Sequence, residues 1–224
     1  EEIGGEIYLF FQQAEEIGQG AKVFIEEGYL NNAERILGIH VASDLEVGKV
    51  AVTKGAVNAS CDYFKVVVKG RSAHVSKPQN AIDALYIASQ IVVNLQAIVS
   101  RQTDPLDTVV VGIGVMRAGT AYNVVANEAV LEGTTRSFYI ETRKRANSAV
   151  IKIAKQIAEA YGAEAEVVFE DYASPLINHE EVCNEAAAVA EKIVTQEGVI
   201  TTREKALGAD DFAEYLLKVP GVYA

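Results

Sequence analysis

Apolar residues recur along the chain with changing period, and the changes mark out the elements. Residues 6–11 (EIYLFF) form a short apolar run of the kind a buried parallel strand carries. The polar, glycine-bearing stretch from Gln12 to Gly20 predicts a loop. Ala21, Phe24, Ile25 and Leu30 return at helical spacing and predict a helix over 20–30. Residues 35–42 (RILGIHVA) predict a second strand. Strand, helix and strand on short links predict a βαβ unit within a larger α/β sheet.

After Val57 the pattern changes. Residues 62–69 (DYFKVVVK) predict a strand. A long helix is predicted over 80–100, with Ile82, Leu85, Ile91, Leu95 and Ile98 on one face, Asn80 as its cap and Pro105 beyond its end. Residues 108–116 (TVVVGIGVM) predict a strand, Gly119-Thr120 a turn, and 122–138 one or two further strands. A second helix is predicted over 141–161, with Val150, Ile153, Ile157 and Ala160 inward and Gly162 as a left-handed cap. Residues 164–171 (EAEVVFED) close the series as a strand. The order β-α-β-β-α-β is that of a ferredoxin-like layer. From Pro175 the chain reads as helical, over 179–197 and again in a short helix opened by Gly208-Ala209-Asp210-Asp211-Phe212. The expected fold class is therefore α/β: one domain in two pieces, 1–56 and 173–224, interrupted by an inserted α+β ferredoxin-like domain over 57–172.

Composition narrows the function classes. The chain has 224 residues, half of them apolar and 23% charged, which fits an ordinary globular protein and not a disordered, collagen-like or coiled-coil one. Twenty Lys and Arg against 31 Asp and Glu give a net charge of −11. Such a charge disfavours a sequence-independent grip on nucleic acid and attraction to an anionic membrane. No apolar run is long enough to span a bilayer. Glu1-Glu2-Ile3-Gly4-Gly5 lacks the order of a signal peptide. Cys61 and Cys183 stand in unlike contexts and read as small apolar residues in a reducing, cytoplasmic compartment. The sequence does not open on Met, starts a strand-like run almost at once, and stops shortly after Val219-Pro220-Gly221. It is expected to be part of a longer chain.

Four constellations could carry chemistry. Glu15-Glu16 follow the first predicted strand, where ligands of open α/β sheets sit. Adjacent carboxylates there need a compensating cation, and a metal with one ligating Glu and one free as a general base would supply it. A solvated acidic loop is the plainer alternative. His40 ends the next predicted strand and could add a nitrogen ligand for Zn²⁺ or Mn²⁺, or be an ordinary half-buried histidine. Gly70-Arg71-Ser72-Ala73-His74 runs a strand into a loop bearing a cation, a hydroxyl and an imidazole, suited to an anionic group. Asn123 and Arg136 offer an amide and a guanidinium, and Arg136 could clamp a carboxylate. Turn chemistry and surface ion pairs account for the last two equally well. His179 reads as a helix-start residue, and Asp210 and Asp211 as a helix cap and first-turn charge.

Taken together, these segments resemble the M20 family of metallopeptidases, in its aminoacylase/amidohydrolase branch of hippurate hydrolases and N-acyl-amino-acid amidohydrolases. The resemblance is carried by Phe11-Gln12-Gln13-Ala14-Glu15-Glu16 with Gly18-Gln19-Gly20-Ala21, by Leu37-Gly38-Ile39-His40-Val41 and by Gly70-Arg71-Ser72-Ala73-His74. It continues through Ala121-Tyr122-Asn123-Val124-Val125, Gly133-Thr134-Thr135-Arg136 and Leu207-Gly208-Ala209-Asp210-Asp211-Phe212. These six motifs stand in family order.

The resemblance implies a phosphorylase/hydrolase-like catalytic domain interrupted by a ferredoxin-like lid or dimerisation domain. It implies two divalent ions, of Zn, Mn, Ni or Co, and metal-dependent hydrolysis of small N-acyl amino acids or peptides. Glu15 would be the general base acting on a metal-held water, and Glu16 and His40 metal ligands. His74 would come from the lid, usually the partner subunit's, to stabilise the tetrahedral intermediate, and Asn123 and Arg136 would bind substrate. A homodimer through the lid is implied.

The sequence departs from the family in having Gln13 where Pro is usual. It also lacks the upstream Cys-Gly-His-Asp type segment and the downstream His that supply further ligands. The chain alone is therefore expected to bind metal weakly and to have little activity. Two rival readings remain: a dipeptidase or aminopeptidase of the same superfamily, and a non-catalytic dimerisation module using the apolar segment 82–98.

Overall fold

The computed structural model describes residues 4–224. In chain order the elements are α1 (Gly20–Glu26), β1 (Ile36–Gly38), β2 (Val50–Ala51), β3 (Gly55–Asn58) and β4 (Cys61–Lys69). Next come α2 (Ala84–Arg101), β5 (Val109–Ala118), β6 (Glu128–Ser137), α3 (Ile140–Ala160) and β7 (Glu164–Ala173). The chain continues with β8 (Leu176–Asn178), α4 (Glu180–Val194), β9 (Val199–Ile200), α5 (Phe212–Leu216) and β10 (Gly221–Tyr223). Short 3₁₀ turns occupy Glu15–Ile17, Pro78–Asn80 and Gln196–Gly198. No described helix is long and apolar enough to cross a membrane.

The segment from β4 to β7 follows the order β-α-β-β-α-β. Its four strands form one antiparallel sheet in the order β5-β6-β4-β7. Strand periodicity of two puts Phe64, Val66 and Val68 of β4 on one face, and these side chains are fully buried. Against them lie Ile87, Ile91, Leu95 and Ile98 of α2 and Ala146, Val150, Ala154 and Ala158 of α3. The small residues of α3 let that helix approach the sheet closely.

Three details differ from the sequence expectation. Asp83, not Asn80, caps α2: its Oδ1 accepts from the Leu85 and Tyr86 amides at 3.0 and 3.1 Å, while Asn80 ends the preceding 3₁₀ turn. Ile91, Leu95 and Ile98 face inward as expected, but Leu85 is exposed, and Ala84, Ile87 and Ala88 fill the buried places of the first turns. On α3, Ala160 is exposed and Ala158 takes the buried place. Residues 122–138 hold a single strand, β6, in keeping with the one or two expected there.

The flanking segments carry three two-stranded pairings. β1 runs parallel to β10, β2 parallel to β9, and β3 antiparallel to β8. The expected βαβ unit does not form, because residues 6–11 have no strand beside them among the described residues. Ile7, Leu9 and Phe11 are largely exposed. Phe10 alone turns inward, its ring centroid 5.1 Å from that of Phe24 and 6.0 Å from that of Tyr215. A strand is held by its neighbour's hydrogen bonds, and the neighbour of β1 comes from residues 221–223 instead.

Candidate active site

The loop between Phe11 and α1 turns sharply at Ala14. Ala14 is left-handed at φ 59°, an uncommon conformation for a residue with a side chain. Glu15 and Glu16 follow in the 3₁₀ turn, which Gly18 closes at φ 64° with its amide donating to the Glu15 carbonyl at 2.8 Å. A Cβ on Gly18 would stand 2.2 Å from the Tyr172 carbonyl oxygen, so the turn lies directly on the end of β7. The Tyr172 hydroxyl donates to the Glu15 carbonyl at 2.9 Å and reaches its Oε1 at 3.5 Å.

His40 follows the end of β1. Gly38 passes beneath the Phe212 and Tyr223 rings, where a Cβ would meet ring carbons at 2.8 and 2.9 Å. The His40 amide donates to the Ala224 carbonyl at 2.9 Å. Its ring Nδ1 lies 2.6 Å from the Val41 carbonyl, an acceptor only, so Nδ1 carries the proton. The lone pair of the neutral ring is then on Nε2, the arrangement that orients a ligating histidine.

Glu15, Glu16 and His40 line one cleft of about 980 Å³, together with Tyr172, Asp210 and Tyr223. Carboxylate oxygens of Glu15, Asp210 and Asp211 lie within 4.8 Å of one another. Burial, and then the Asp210, Glu16 and Asp211 carboxylates, push the Glu15 carboxyl above its ordinary value. Burial and the Glu15 charge push the Tyr172 phenol up to about 12. Burial and its hydrogen bond to Asp210 hold the Tyr223 phenol above its usual range. Among the described residues neither Glu16 nor His40 belongs to that close group; both line the same cleft, and carboxylate oxygens with an imidazole nitrogen are the donor types that suit Zn²⁺ and Mn²⁺.

The other predicted residues stand elsewhere. His74, Asn123 and Arg136 are not on the wall of that cleft. His74 and Asn123 are together: the Val75 amide donates to the Asn123 carbonyl at 3.1 Å, and His74 bridges to Val124. The His74 Nδ1 accepts from the Ser76 amide at 3.2 Å, which leaves Nε2 protonated as an outward donor in the neutral ring. The two histidines thus carry opposite tautomers. Arg136 donates through Nη1 to the Leu207 carbonyl at 2.7 Å, which ties β6 to the loop before Asp210.

Sequence reasoning missed Asp210, Asp211, Gln12, Tyr172 and Tyr223. Asp210 does accept from the Phe212 amide at 2.8 Å, as a cap would, but its other oxygen accepts from the Tyr223 hydroxyl. Asp211 occupies the N-cap position of α5 without capping it. The signal was present in the Leu207–Phe212 motif, though not the partners of its two acids. His179 stands at the N-cap position of α4, as read from the sequence.

Comparison with known proteins places the chain. It is 37% identical over 222 residues to an N-acetylcysteine deacetylase of Bacillus subtilis, covering 99% of this chain and 58% of that protein. It is 38% identical over 224 residues to a thermostable carboxypeptidase 2 of Saccharolobus solfataricus, covering 99% of this chain and 56% of that protein. The chain thus spans somewhat over half the length of these relatives. A crystal structure of a dinuclear metal-binding M20 peptidase of Bacillus subtilis aligns with a TM-score of 0.78 at 35% identity, over 95% of this chain and 53% of that one. Residues 2–224 match peptidase family M20/M25/M40, and the chain belongs to that family.

Proposed function

We propose that the protein hydrolyses the amide bond of N-acyl amino acids or related small amides, with two divalent metal ions as cofactors. The observation that carries this reading is the shared cleft of Glu15, Glu16 and His40, with the His40 Nε2 lone pair available and the Glu15 carboxyl more basic than usual. The deacetylase relative supports an N-acyl substrate, and the dinuclear M20 neighbour supports two ions.

Glu16 and His40 would hold metal, of Zn, Mn, Ni or Co. A bound divalent cation supplies Lewis acidity, polarising an amide carbonyl and making water more acidic. Glu15 accepts the proton of the attacking water and returns it to the leaving amine, a role that a raised carboxyl basicity suits. His74 presents Nε2–H to the carbonyl oxygen as negative charge develops there. Asn123 and Arg136 bind the substrate's carboxylate or carbonyl. Residues 57–172 act as lid and dimerisation domain, and 1–56 with 173–224 as catalytic domain. The working form is a cytoplasmic homodimer in which the lid supplies His74 to the partner's cleft.

The test is turnover by the whole protein of N-acetyl amino acids against free dipeptides, with Mn²⁺ or Zn²⁺ added. The expected result is release of the amino acid from N-acyl substrates, faster than dipeptide cleavage, and loss of at least about a hundredfold in Glu15→Gln. Dipeptide cleavage without N-acyl turnover would make the protein a dipeptidase or aminopeptidase. Full activity in Glu15→Gln would overturn the assignment of the base.

A further inference from the structure

Asp211 is wholly buried at the start of α5. A buried carboxylate persists only where its oxygens are partnered. Oδ1 accepts from Gln12 Nε2 at 2.7 Å, and Oδ2 accepts from the Ala21 amide at 3.0 Å. From within α5, the Tyr215 hydroxyl donates to Gln12 Oε1 at 2.7 Å and fixes the orientation of that amide. Gln12 precedes the turn that carries Glu15 and Glu16, and Ala21 follows it.

Between these ends the chain has little freedom. Ala14 and Gly18 are both left-handed, and the Gln19 amide donates to the Ala14 carbonyl at 3.2 Å. A Cβ on Gly20 would stand 1.9 Å from the Gln13 carbonyl oxygen, so the two limbs of the turn touch. Asp211 also faces two further carboxylates, Glu15 and Asp210, within 4.8 Å. Like charges so close raise the energy of the corner, and the hydrogen bonds to Asp211 offset part of that cost.

We propose that Asp211 is a positioning residue for the Glu15–Glu16 turn. Its carboxylate holds the entry of the turn through Gln12 and the exit through the Ala21 amide, and so sets where the two glutamates stand in the cleft. The proposal rests on the reading of Glu16 as a metal ligand given above. Asp211 acts through the turn: each of its oxygens accepts from an N–H donor of that turn's two limbs in a fully buried place.

The test uses Asp211→Ala, Asp211→Asn and Gln12→Met with two readouts: amide hydrogen exchange along the chain and calorimetric titration with Mn²⁺. Asp211→Ala is expected to speed exchange in residues 12–21 by at least about tenfold while α2 and α3 keep wild-type protection. It is also expected to weaken Mn²⁺ binding about 10- to 100-fold, as loss of a group that orients a metal ligand does. Asp211→Asn recovers part of both effects, because its carbonyl oxygen still accepts from Ala21. Gln12→Met loosens the entry of the turn and carries the test if Asp211→Ala does not fold.

Exchange that rises equally in all elements, or unchanged Mn²⁺ affinity in the folded variants, would overturn the proposal. If the wild-type chain takes up no Mn²⁺, the metal reading fails on its own, and the exchange pattern still decides whether Asp211 holds the turn.

Discussion

The ion pair of Asp62 and Arg143 carries a sharp stability prediction. Asp62 begins the buried part of β4, and its side chain is 3% exposed; Arg143, in the first turn of α3, is 13% exposed. Arg143 Nε and Nη2 donate to the two Asp62 oxygens at 2.8 and 2.7 Å, a two-pronged contact. Asn147 Nδ2 donates to the same carboxylate at 2.9 Å, and Arg143 Nη1 donates to Ser174 Oγ at 3.1 Å. The Ser174 amide in turn donates to Glu214 of α5 at 2.8 Å, so the network reaches the helix that Asp211 precedes. Asp62→Ala would leave the guanidinium with the half-exposed Asp171 as its only carboxylate and the Asn147 amide without its acceptor. Removing one partner of such a pair costs about 3–5 kcal/mol. For a chain of this size that lowers the melting temperature by about 6–20 °C. The paired change Asp62→Leu with Arg143→Met removes both charges and is expected to recover more than half of the loss. Thermal unfolding followed by circular dichroism measures both. A loss under about 1 kcal/mol in Asp62→Ala, or a paired variant as unstable as the sum of the two single changes, would refute the reasoning.

Three further outcomes follow from the same geometry. The Glu15 carboxyl is raised in the folded state, so its ionisation opposes folding above its folded value and the penalty fades as pH falls toward the unfolded value. Glu15→Gln is therefore expected to raise the melting temperature of the metal-free chain at pH 7 and to leave it nearly unchanged at pH 4; equal shifts at both pH values would contradict this. Gly18→Ala must place a side chain in a left-handed turn against the Tyr172 carbonyl, and should cost about 2 kcal/mol or more in denaturant unfolding. Burial pushes the Cys183 thiol above its usual range and shields it. Ellman's reagent should therefore label the half-buried Cys61 first and Cys183 only on unfolding, and simultaneous labelling of both thiols would count against that placement.

The elements from Cys61 to Ala173 are legible in the sequence because each carries its own period: two in β4, near 3.6 in α2 and α3. Helix ends are less so. Asn80 and Asp83 are both cap residues, and only the path of the chain after Arg71 decides between them; the Ile82 amide is taken by the Arg71 carbonyl, which starts the helix later. The run 6–11 is apolar enough for a strand, but pairing depends on what lies beside it, and sequence pattern carries no information on that. In the candidate site, Glu15, Glu16 and His40 stand out as chemistry-bearing residues at loop positions, and they share a cleft. Asp211 does not stand out, because an acid before a helix reads as a cap. Its partner Gln12 is 199 positions away, a separation no local spacing rule can bridge. The opposite tautomers of His40 and His74 depend on the Val41 carbonyl and the Ser76 amide, backbone groups that every residue possesses.

The central claim is that Glu16 and His40 hold a divalent cation beside Glu15. Calorimetric titration of the chain with Mn²⁺, in the wild type and in His40→Ala and Glu16→Gln, tests it most directly. The account predicts weak but saturable binding in the wild type and a loss of at least about tenfold in affinity in each variant with the fold intact. Wild-type affinity in either variant would contradict it.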